Sequence, residues 1–242
     1  VYFKDNTSYK INGSKSFISG AGESDLYFVM MKTENNINEE ISCILLEKEF
    51  SGISFGKNED KMGWKNQPTK TVSFDNCIAP KSNLVGKEGD GFKIAMQGLD
   101  GGRINIASCS LGAARFCIEK TINYINERKQ FGKYLKDFQS IQFKLADMIT
   151  EFEAAKLMVH KAALAIDKKE HNSTIMSAMA KRYATDVCFK ICNEALQIHG
   201  GYGYLSDFGI EKMVRDCRVH QILEGTNEIM RVIISRKILE RN

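Results

Sequence analysis

Apolar residues follow two different periods along the chain, and the change falls near residue 85. Before it, short apolar runs such as 27–31 and 41–46 alternate with turn-rich pieces, which is typical of β-strands. After it, apolar residues recur at helical spacing. The stretch 86–91 contains three glycines and is interpreted as a hinge. The pattern therefore predicts a β domain over 1–85 and an α-helical domain over 86–242.

The helical part contains several amphipathic segments joined by short links. A first long helix is expected from about 91 to 127, interrupted at Asp100-Gly101-Gly102-Arg103, because each glycine costs about 1 kcal/mol against alanine inside a helix. Those glycines serve either a ligand contact or a tight helix crossing. Further helices are predicted from near Asp137, over 173–198, around 209–217 and after residue 226. The predicted fold class is α+β, a partial β-barrel or sandwich followed by a four-helix-type bundle.

Two glycine-containing segments of the β part have testable interpretations. Asn12-Gly13 predicts a hairpin, since both residues tolerate the positive φ of a type I′ turn. In the segment 16–25, Gly20 and Gly22 lack the third glycine of a dinucleotide-binding fingerprint, so that interpretation is rejected. The segment is either a loop that presents Phe17 and Ser19 to a ligand or a plain hairpin connection.

Composition narrows the class of protein. The 242 residues are 43% hydrophobic and 26% charged, with a formal net charge of +4, as in ordinary globular proteins and without the basic stripe of a nucleic-acid binder. No apolar run approaches the roughly 20 residues of a membrane span. The seven cysteines form no CxxC pair and the four histidines show no metal-ligand spacing, which predicts reduced, buried, intracellular thiols and no metal site. Because the chain begins at Val1, we expect a fragment or a processed chain.

The most distinctive stretch is 219–228, near the C-terminus. Glu224 follows Ile222 and Leu223 and precedes Gly225, and Thr226 and Asn227 are suited to cap a following helix. Desolvation would raise the proton affinity of this carboxylate, and the positive end of the helix would oppose that rise. Glu224 is therefore either a general base or an ordinary loop carboxylate.

Six segments in the same order resemble the flavin-dependent acyl-CoA dehydrogenases. They are Phe17-Ile18-Ser19, 88–92, 127–132, Phe138-Gln139, 197–203 and 223–226. Segments 18–25 and 101–108 look most like the branch that oxidises isobutyryl-CoA in valine breakdown. Full-length members have an N-terminal helical domain, a middle β domain and a C-terminal helical domain, so this chain is expected to lack the first and the beginning of the second.

The resemblance implies a chemistry for Glu224. In this family a carboxylate removes the α proton of an acyl-CoA thioester while the β hydride passes to FAD. Members without a base on this loop carry one at the position of Gly102, where this chain has no acid. The backbone N–H of Glu224 and a ribityl hydroxyl of FAD would bind the enolate oxygen. Ser19 would lie near the hydride-accepting nitrogen and Phe17 beside the flavin ring.

The resemblance also implies binding residues. Arg128 would neutralise the pyrophosphate of FAD, although a solvated helix-end arginine is the alternative. The remaining implied FAD contacts are Phe17, Ile18, Ser19, Phe131, Phe138, Gln139, Gln197, Ile198, His199, Gly200, Gly201, Thr226, Asn227 and Glu228. The implied acyl-CoA contacts are Asp100, Gly101, Gly102, Arg103 and Arg236. Tyr202 and Tyr204 are interpreted as packing residues, and Cys188 and Cys192 as core.

Partners and alternatives follow from the same resemblance. The family implies a homotetramer, a dimer of dimers with each FAD between two subunits, and electron-transferring flavoprotein as the acceptor. The location would be the mitochondrial matrix in a eukaryote or the cytoplasm in a bacterium. Oxidation of 2-methylbutyryl-CoA or butyryl-CoA is an alternative, because one methylene gives only about 1–3 kcal/mol of discrimination. A non-catalytic helical scaffold on the same fold is the alternative from another class.

Overall fold

The computed structural model describes residues 2–5, 7–34 and 39–239. Contacts divide the chain into two compact units, Val1–Gly98 and Leu99–Asn242. The division falls within a helix, α1, which runs from Gly91 to Glu127. The predicted domain limits, 1–85 and 86–242, remain a prediction.

The first unit is built from β-strands. They are β1 (Tyr2–Asp5), β2 (Ser8–Ser19), β3 (Leu26–Glu34), β4 (Glu39–Glu47), β5 (Ile53–Phe55), β6 (Thr69–Pro80) and β7 (Leu84–Val85). One sheet has the order β1-β2-β6-β5 and another the order β3-β4-β7. Alternate side chains of both sheets share one core, and this core includes Tyr9, Ile11, Val29, Met31, Ile44, Leu46, Val72 and Phe74. The arrangement confirms the predicted sandwich, and the described strands do not close into a barrel.

The predicted Asn12-Gly13 hairpin is wrong. Both residues lie inside β2, which pairs with β6 on either side of them, and the register shifts between Ile11 and Gly13. Gly13 has φ +141°, and the side-chain oxygen of Asn12 accepts the backbone N–H of Asn76 at 2.7 Å where the ladder is interrupted. The two residues that suit a tight turn therefore form a bulge.

The second unit is helical. After α1 come a small hairpin of β8 (Lys129–Gln130) and β9 (Lys133–Tyr134), then α2 (Gln139–Asp167), α3 (Ser173–His199), α4 (Ile210–His220) and α5 (Asn227–Leu239). The predicted helical bundle is confirmed, with five helices in the described part. None of those helices is long and apolar enough to cross a membrane.

The expected interruption of α1 at 100–103 is wrong, because the helix continues through both glycines. An ion pair between Arg103 Nη1 and Asp100 Oδ1, 2.7 Å apart, spans this turn of the helix. Tertiary contacts at Gly102, described below, supply the reason for a small residue that helix propensity alone disfavours.

The core of the second unit contains most of the cysteines. Cys117, Cys188, Cys192 and Cys217 are fully buried, in one apolar cluster with Met148 and Ile191. All seven cysteines are free, and Cys109 alone is exposed. The interpretation of Cys188 and Cys192 as core residues is confirmed. Within the described ranges, no group of three or more His, Cys, Asp and Glu side chains is placed to hold a metal ion.

Candidate active site

Glu224 lies in the tight turn that links α4 to α5. The N–H groups of Ile222 and Leu223 donate to the Val219 carbonyl at 2.8 and 2.9 Å, which continues the end of α4. Glu224 then adopts φ +57° and Gly225 adopts φ +88°. A left-handed conformation at a non-glycine residue costs about 1–3 kcal/mol and is concentrated at functional sites. The backbone of Glu224 is therefore held in place by its surroundings.

The turn passes directly into α5. The Asn227 N–H donates to the Gln221 carbonyl at 3.0 Å and closes the turn, and α5 begins at Asn227 as predicted. Thr226 caps the helix, since its hydroxyl accepts the N–H of Ile229 at 3.4 Å. The side chain of Asn227 is buried and faces α3 instead of capping.

The Glu224 carboxyl group lies against Gly102 of α1. A Cβ placed on Gly102 would be 2.7 Å from Glu224 Cδ, so any larger residue there would displace the Glu224 carboxyl group. Burial raises the pKa of Glu224, while the positive charges of Arg103 and Lys181 oppose the rise. Burial thus increases the proton affinity of the Glu224 carboxylate, and the two nearby cations favour its ionised form. These are the properties of a general base.

Arg103 and Asp100 support the turn from α1. Arg103 is only 3% exposed, and its Nε donates to the Glu224 carbonyl at 3.4 Å. Asp100 accepts from Arg103 and, through its other oxygen, from the Thr174 hydroxyl of α3 at 2.6 Å. Gly101 differs from Gly102, because nothing lies within 4 Å of a Cβ placed there. The structure therefore brings four of the five expected acyl-CoA contacts to Glu224, and Arg236 lies apart, exposed on α5.

Lys181 is a site residue that the sequence analysis missed. It is fully buried in α3, and its ammonium donates to the Gly225 carbonyl at 2.8 Å and to the side-chain oxygen of Asn227 at 2.9 Å. Burial lowers the pKa of Lys181 to about 8, although the negative charge of Asp186 acts to raise it. The signal in the sequence is a lysine on the stripe that contains Ala178, Ala184 and Cys188, where helical spacing predicts apolar residues.

A second cluster surrounds Arg128, just after the end of α1. We call it the Arg128 groove, an open cavity of about 550 Å³. Its lining consists of Tyr124, Arg128, Gln130, Leu135, Ile198, His199, Gly200, Gly201, Tyr202 and Leu205. The structure thus brings Arg128 together with four of the expected residues of 197–201, and Gln197 is exposed beside them on the last turn of α3.

The walls of the Arg128 groove are held by ring contacts. The guanidinium of Arg128 lies 5.3 Å from the centre of the Tyr202 ring, a cation–π contact that packs Tyr202 against Arg128. Tyr124 stacks on His199 with ring centres 4.3 Å apart. Burial lowers the pKa of His199, although the hydrogen bond that its Nδ1–H donates to the Ala195 carbonyl at 2.7 Å acts to raise it. Arg128 supplies a permanent positive charge to the groove.

Gly200 and Gly201 leave the floor of the groove open. Nothing lies within 4 Å of a Cβ placed on either residue, so a ligand can reach the backbone there. Phe131 and Phe138 form an edge-to-face pair with centres 6.3 Å apart, and Gln139 begins α2. Phe131 has φ +54° and is 92% exposed, although large aromatic side chains are usually covered.

The remaining expected cofactor residues occupy two other places. Phe17, Ile18 and Ser19 end β2 in the first unit, where Ile18 pairs with Lys70 and Ser19 with Thr69 of β6. The segment is thus a strand end and not a loop, but Phe17 has φ +57° and a side chain that is 75% exposed. Thr226, Asn227 and Glu228 form the start of α5, next to the Glu224 turn.

Comparisons with known proteins agree over both units of the chain. The family model for the acyl-CoA dehydrogenase middle domain matches residues 2–77, and the model for the acyl-CoA dehydrogenase C-terminal domain matches residues 89–239. Isobutyryl-CoA dehydrogenase, mitochondrial, of Bos taurus is 52% identical over 237 residues, which is 98% of this chain and 57% of the relative. The chain therefore spans little more than half the length of that curated relative.

Solved structures are similar to this chain in fold as well as in sequence. Butyryl-CoA dehydrogenase from Megasphaera elsdenii has a TM-score of 0.92 and 42% identity, with 96% of this chain and 61% of that chain covered. An acyl-CoA dehydrogenase from Bacillus anthracis, complexed with FAD, has a TM-score of 0.90 and 32% identity, with 97% of this chain and 43% of that chain covered.

Proposed function

The chain belongs to the acyl-CoA dehydrogenase family, and we propose that the protein containing it dehydrogenates a short branched acyl-CoA at its α and β carbons. The proposed reaction converts isobutyryl-CoA to methacrylyl-CoA. The single observation that carries this proposal is the Glu224 carboxyl group, held against Gly102 in a strained turn, with raised proton affinity. The 52% identity to an isobutyryl-CoA dehydrogenase supports the choice of acyl chain.

In the proposed mechanism Glu224 is the catalytic base. The α carbon of the thioester loses its proton to the Glu224 carboxylate, the β carbon loses a hydride, and the C=C bond forms between them. FAD supplies the hydride acceptor when it is bound. The backbone N–H of Glu224 is proposed to donate to the thioester oxygen as negative charge develops there. Arg103 and Asp100 act on the turn, because the buried guanidinium already contacts the Glu224 carbonyl.

The Arg128 groove fits the phosphate part of FAD. It combines one guanidinium with two glycines whose backbone is open to a ligand, and a guanidinium can bind phosphate oxygens in pairs. Phe131, Phe138, Gln139 and 197–201 are proposed to complete that side. The start of α5, with its free N–H groups, and the strand end at Phe17, Ile18 and Ser19 are proposed as further FAD contacts.

Replacement of Arg128 with alanine is expected to weaken FAD binding at least tenfold, which corresponds to about 1.4 kcal/mol for one lost charge-assisted contact. The loss of the cation–π contact with Tyr202 also loosens the groove. The measurement is FAD affinity of the full-length apoprotein by flavin fluorescence titration. Arg115→Ala is the control, because Arg115 is exposed and pairs with Glu119 on the same helix. Equal affinities of the two variants would contradict the contact.

A substrate panel tests the acyl chain. We expect kcat/KM of the full-length protein to be highest for isobutyryl-CoA, lower for 2-methylbutyryl-CoA and lowest for butyryl-CoA. Gly101 and Gly102 place no side chain on the turn of α1 beside Glu224, which supports a branched acyl chain. The similarity to a butyryl-CoA dehydrogenase keeps butyryl-CoA as an alternative substrate. A preference for butyryl-CoA would contradict the assignment to isobutyryl-CoA, and absence of bound flavin and of turnover on all three would favour a non-catalytic scaffold.

Assembly, electron acceptor and location complete the proposal. We propose a homotetramer that passes electrons to electron-transferring flavoprotein, in the mitochondrial matrix of a eukaryote or the cytoplasm of a bacterium. The apolar side chains Ile229, Val232, Ile238 and Leu239 of α5 are 38% to 70% exposed, which supports their contact with a surface that residues 1–242 do not include.

A further inference from the structure

A buried lysine lies directly behind the Glu224 turn. Lys181 is fully buried in the first half of α3. Its ammonium has hydrogen bonds to the Gly225 carbonyl at 2.8 Å and to the side-chain oxygen of Asn227 at 2.9 Å. Burial of an ammonium group is unfavourable unless its donors are used. Both of these acceptors lie within three residues of Glu224, so Lys181 holds the segment that contains the proposed base.

Other side chains of α3 fasten the same turn at both ends. The side-chain nitrogen of Asn227 donates to the Thr185 hydroxyl at 2.9 Å and to Asp186 Oδ1 at 2.7 Å. At the start of the turn, the Gln221 side chain donates to the same Asp186 oxygen at 2.8 Å. The helix thus supports the turn from behind, and Lys181 is the contact closest in sequence to the carboxylate.

We propose that Lys181 is a positioning residue for proton abstraction: it fixes the Gly225 carbonyl and Asn227 so that the Glu224 carboxylate stays against Gly102, and its charge favours the ionised carboxylate. This inference rests on the proposed function of Glu224 as the base. Lys181 acts through the turn and has no assigned contact with substrate.

The charges around the pair determine the direction of the effect. Glu224 faces Arg103 of α1 and Lys181 of α3. Lys181 itself faces four charged groups. They are Asp186 on its own helix, Arg103 of α1, Glu224 of the turn and Glu228 of α5. Removal of the Lys181 charge leaves Arg103 as the cation beside Glu224, so the pKa of Glu224 rises further. A base must be ionised to accept a proton, and the acid limb of the kcat profile therefore moves to higher pH.

The experiment compares K181M, K181Q and K181R in the full-length enzyme. For K181M and K181Q we expect kcat to fall about tenfold or more, with KM changed less than about threefold, because the turn loses the two hydrogen bonds that the charged ammonium donates to it. The acid limb of both variants should move up by about one pH unit. K181R should keep the acid limb of the kcat profile at the wild-type pH, because arginine keeps the positive charge. Its larger head group should displace the turn and lower kcat. The control K190M, on an exposed part of α3, should match the wild type in every respect.

Amide hydrogen exchange of residues 222–226 tests, without any turnover, whether Lys181 fixes the turn in place. K181M is expected to increase exchange there about tenfold, and K190M is expected to leave it unchanged. If the wild type fails to oxidise any acyl-CoA, the proposed function fails while this measurement still tests Lys181. An unmoved acid limb and unchanged exchange in K181M and K181Q would overturn the inference. Failure of both variants to fold, with K190M folded, would also overturn it, because Lys181 would then serve the stability of the bundle.

Discussion

Replacement of Glu224 with glutamine is expected to lower kcat by about 10²–10⁴-fold, which is the usual contribution of a general base. Glutamine keeps the shape of the side chain and has no carboxylate to accept the α proton. The turn should remain intact, since its contacts with Arg103 and Lys181 use backbone carbonyls of Glu224 and Gly225. Steady-state turnover of isobutyryl-CoA with an artificial electron acceptor measures the effect.

Two controls separate the loss of the base from a loss of structure. FAD content of E224Q, read from flavin absorbance, should equal that of the wild type. Glu119→Gln, which changes a half-exposed carboxylate of α1 that pairs with Arg115, should leave kcat unchanged. Residual activity of E224Q above about one tenth of the wild-type value would assign proton abstraction to another group.

Replacement of Gly102 with alanine is expected to lower kcat by about 10–100-fold, because a displacement of about 1 Å at a reacting group has an effect of this size. The added methyl group would lie 2.7 Å from Glu224 Cδ, so the carboxylate must move away from its position over α1. Alanine is the better helix former by about 1 kcal/mol, and α1 itself should not be weakened. The predicted loss is therefore one of geometry at Glu224.

Gly112→Ala is the matched control for this prediction. Gly112 lies in the same helix, and nothing lies within 4 Å of a Cβ placed on it. We expect G112A to keep wild-type kcat and to gain about 0.5–1 kcal/mol in the free energy of unfolding. Thermal unfolding and kcat are measured on both variants. Wild-type kcat in G102A would mean that the carboxylate does not need its contact with Gly102.

The sequence predicts the Glu224 turn well because its signals are local. A carboxylate between apolar residues and glycine, followed by Thr226 and Asn227, specifies a turn and a helix start within six positions, and α5 begins at Asn227. The predicted bounds of α3, 173–198, agree with the observed helix to within one residue for the same reason, since helical apolar spacing and the glycines from Gly200 are local signals.

Other features depend on contacts between distant residues. Lys181 is 44 positions from the Gly225 carbonyl that it binds, and a lysine in a helical pattern is usually a surface residue. The continuity of α1 through Gly101 and Gly102 depends on the side chains of Asp100, Arg103 and Glu224, which the helix propensities omit. Asn12-Gly13 shows the same limit, because the pairing of β2 with β6 decides between a turn and a bulge.

Exchange of the substrate α hydrogen with D₂O reports directly on Glu224 as the base, because it follows proton abstraction apart from hydride transfer. A CoA thioester that cannot be oxidised at its β carbon is incubated with the FAD-loaded full-length protein, and deuterium at the α carbon is followed by NMR or mass spectrometry. We expect exchange with the wild type and only the uncatalysed rate with E224Q at equal FAD content. Exchange by E224Q at the wild-type rate would contradict the assignment of Glu224 as the base.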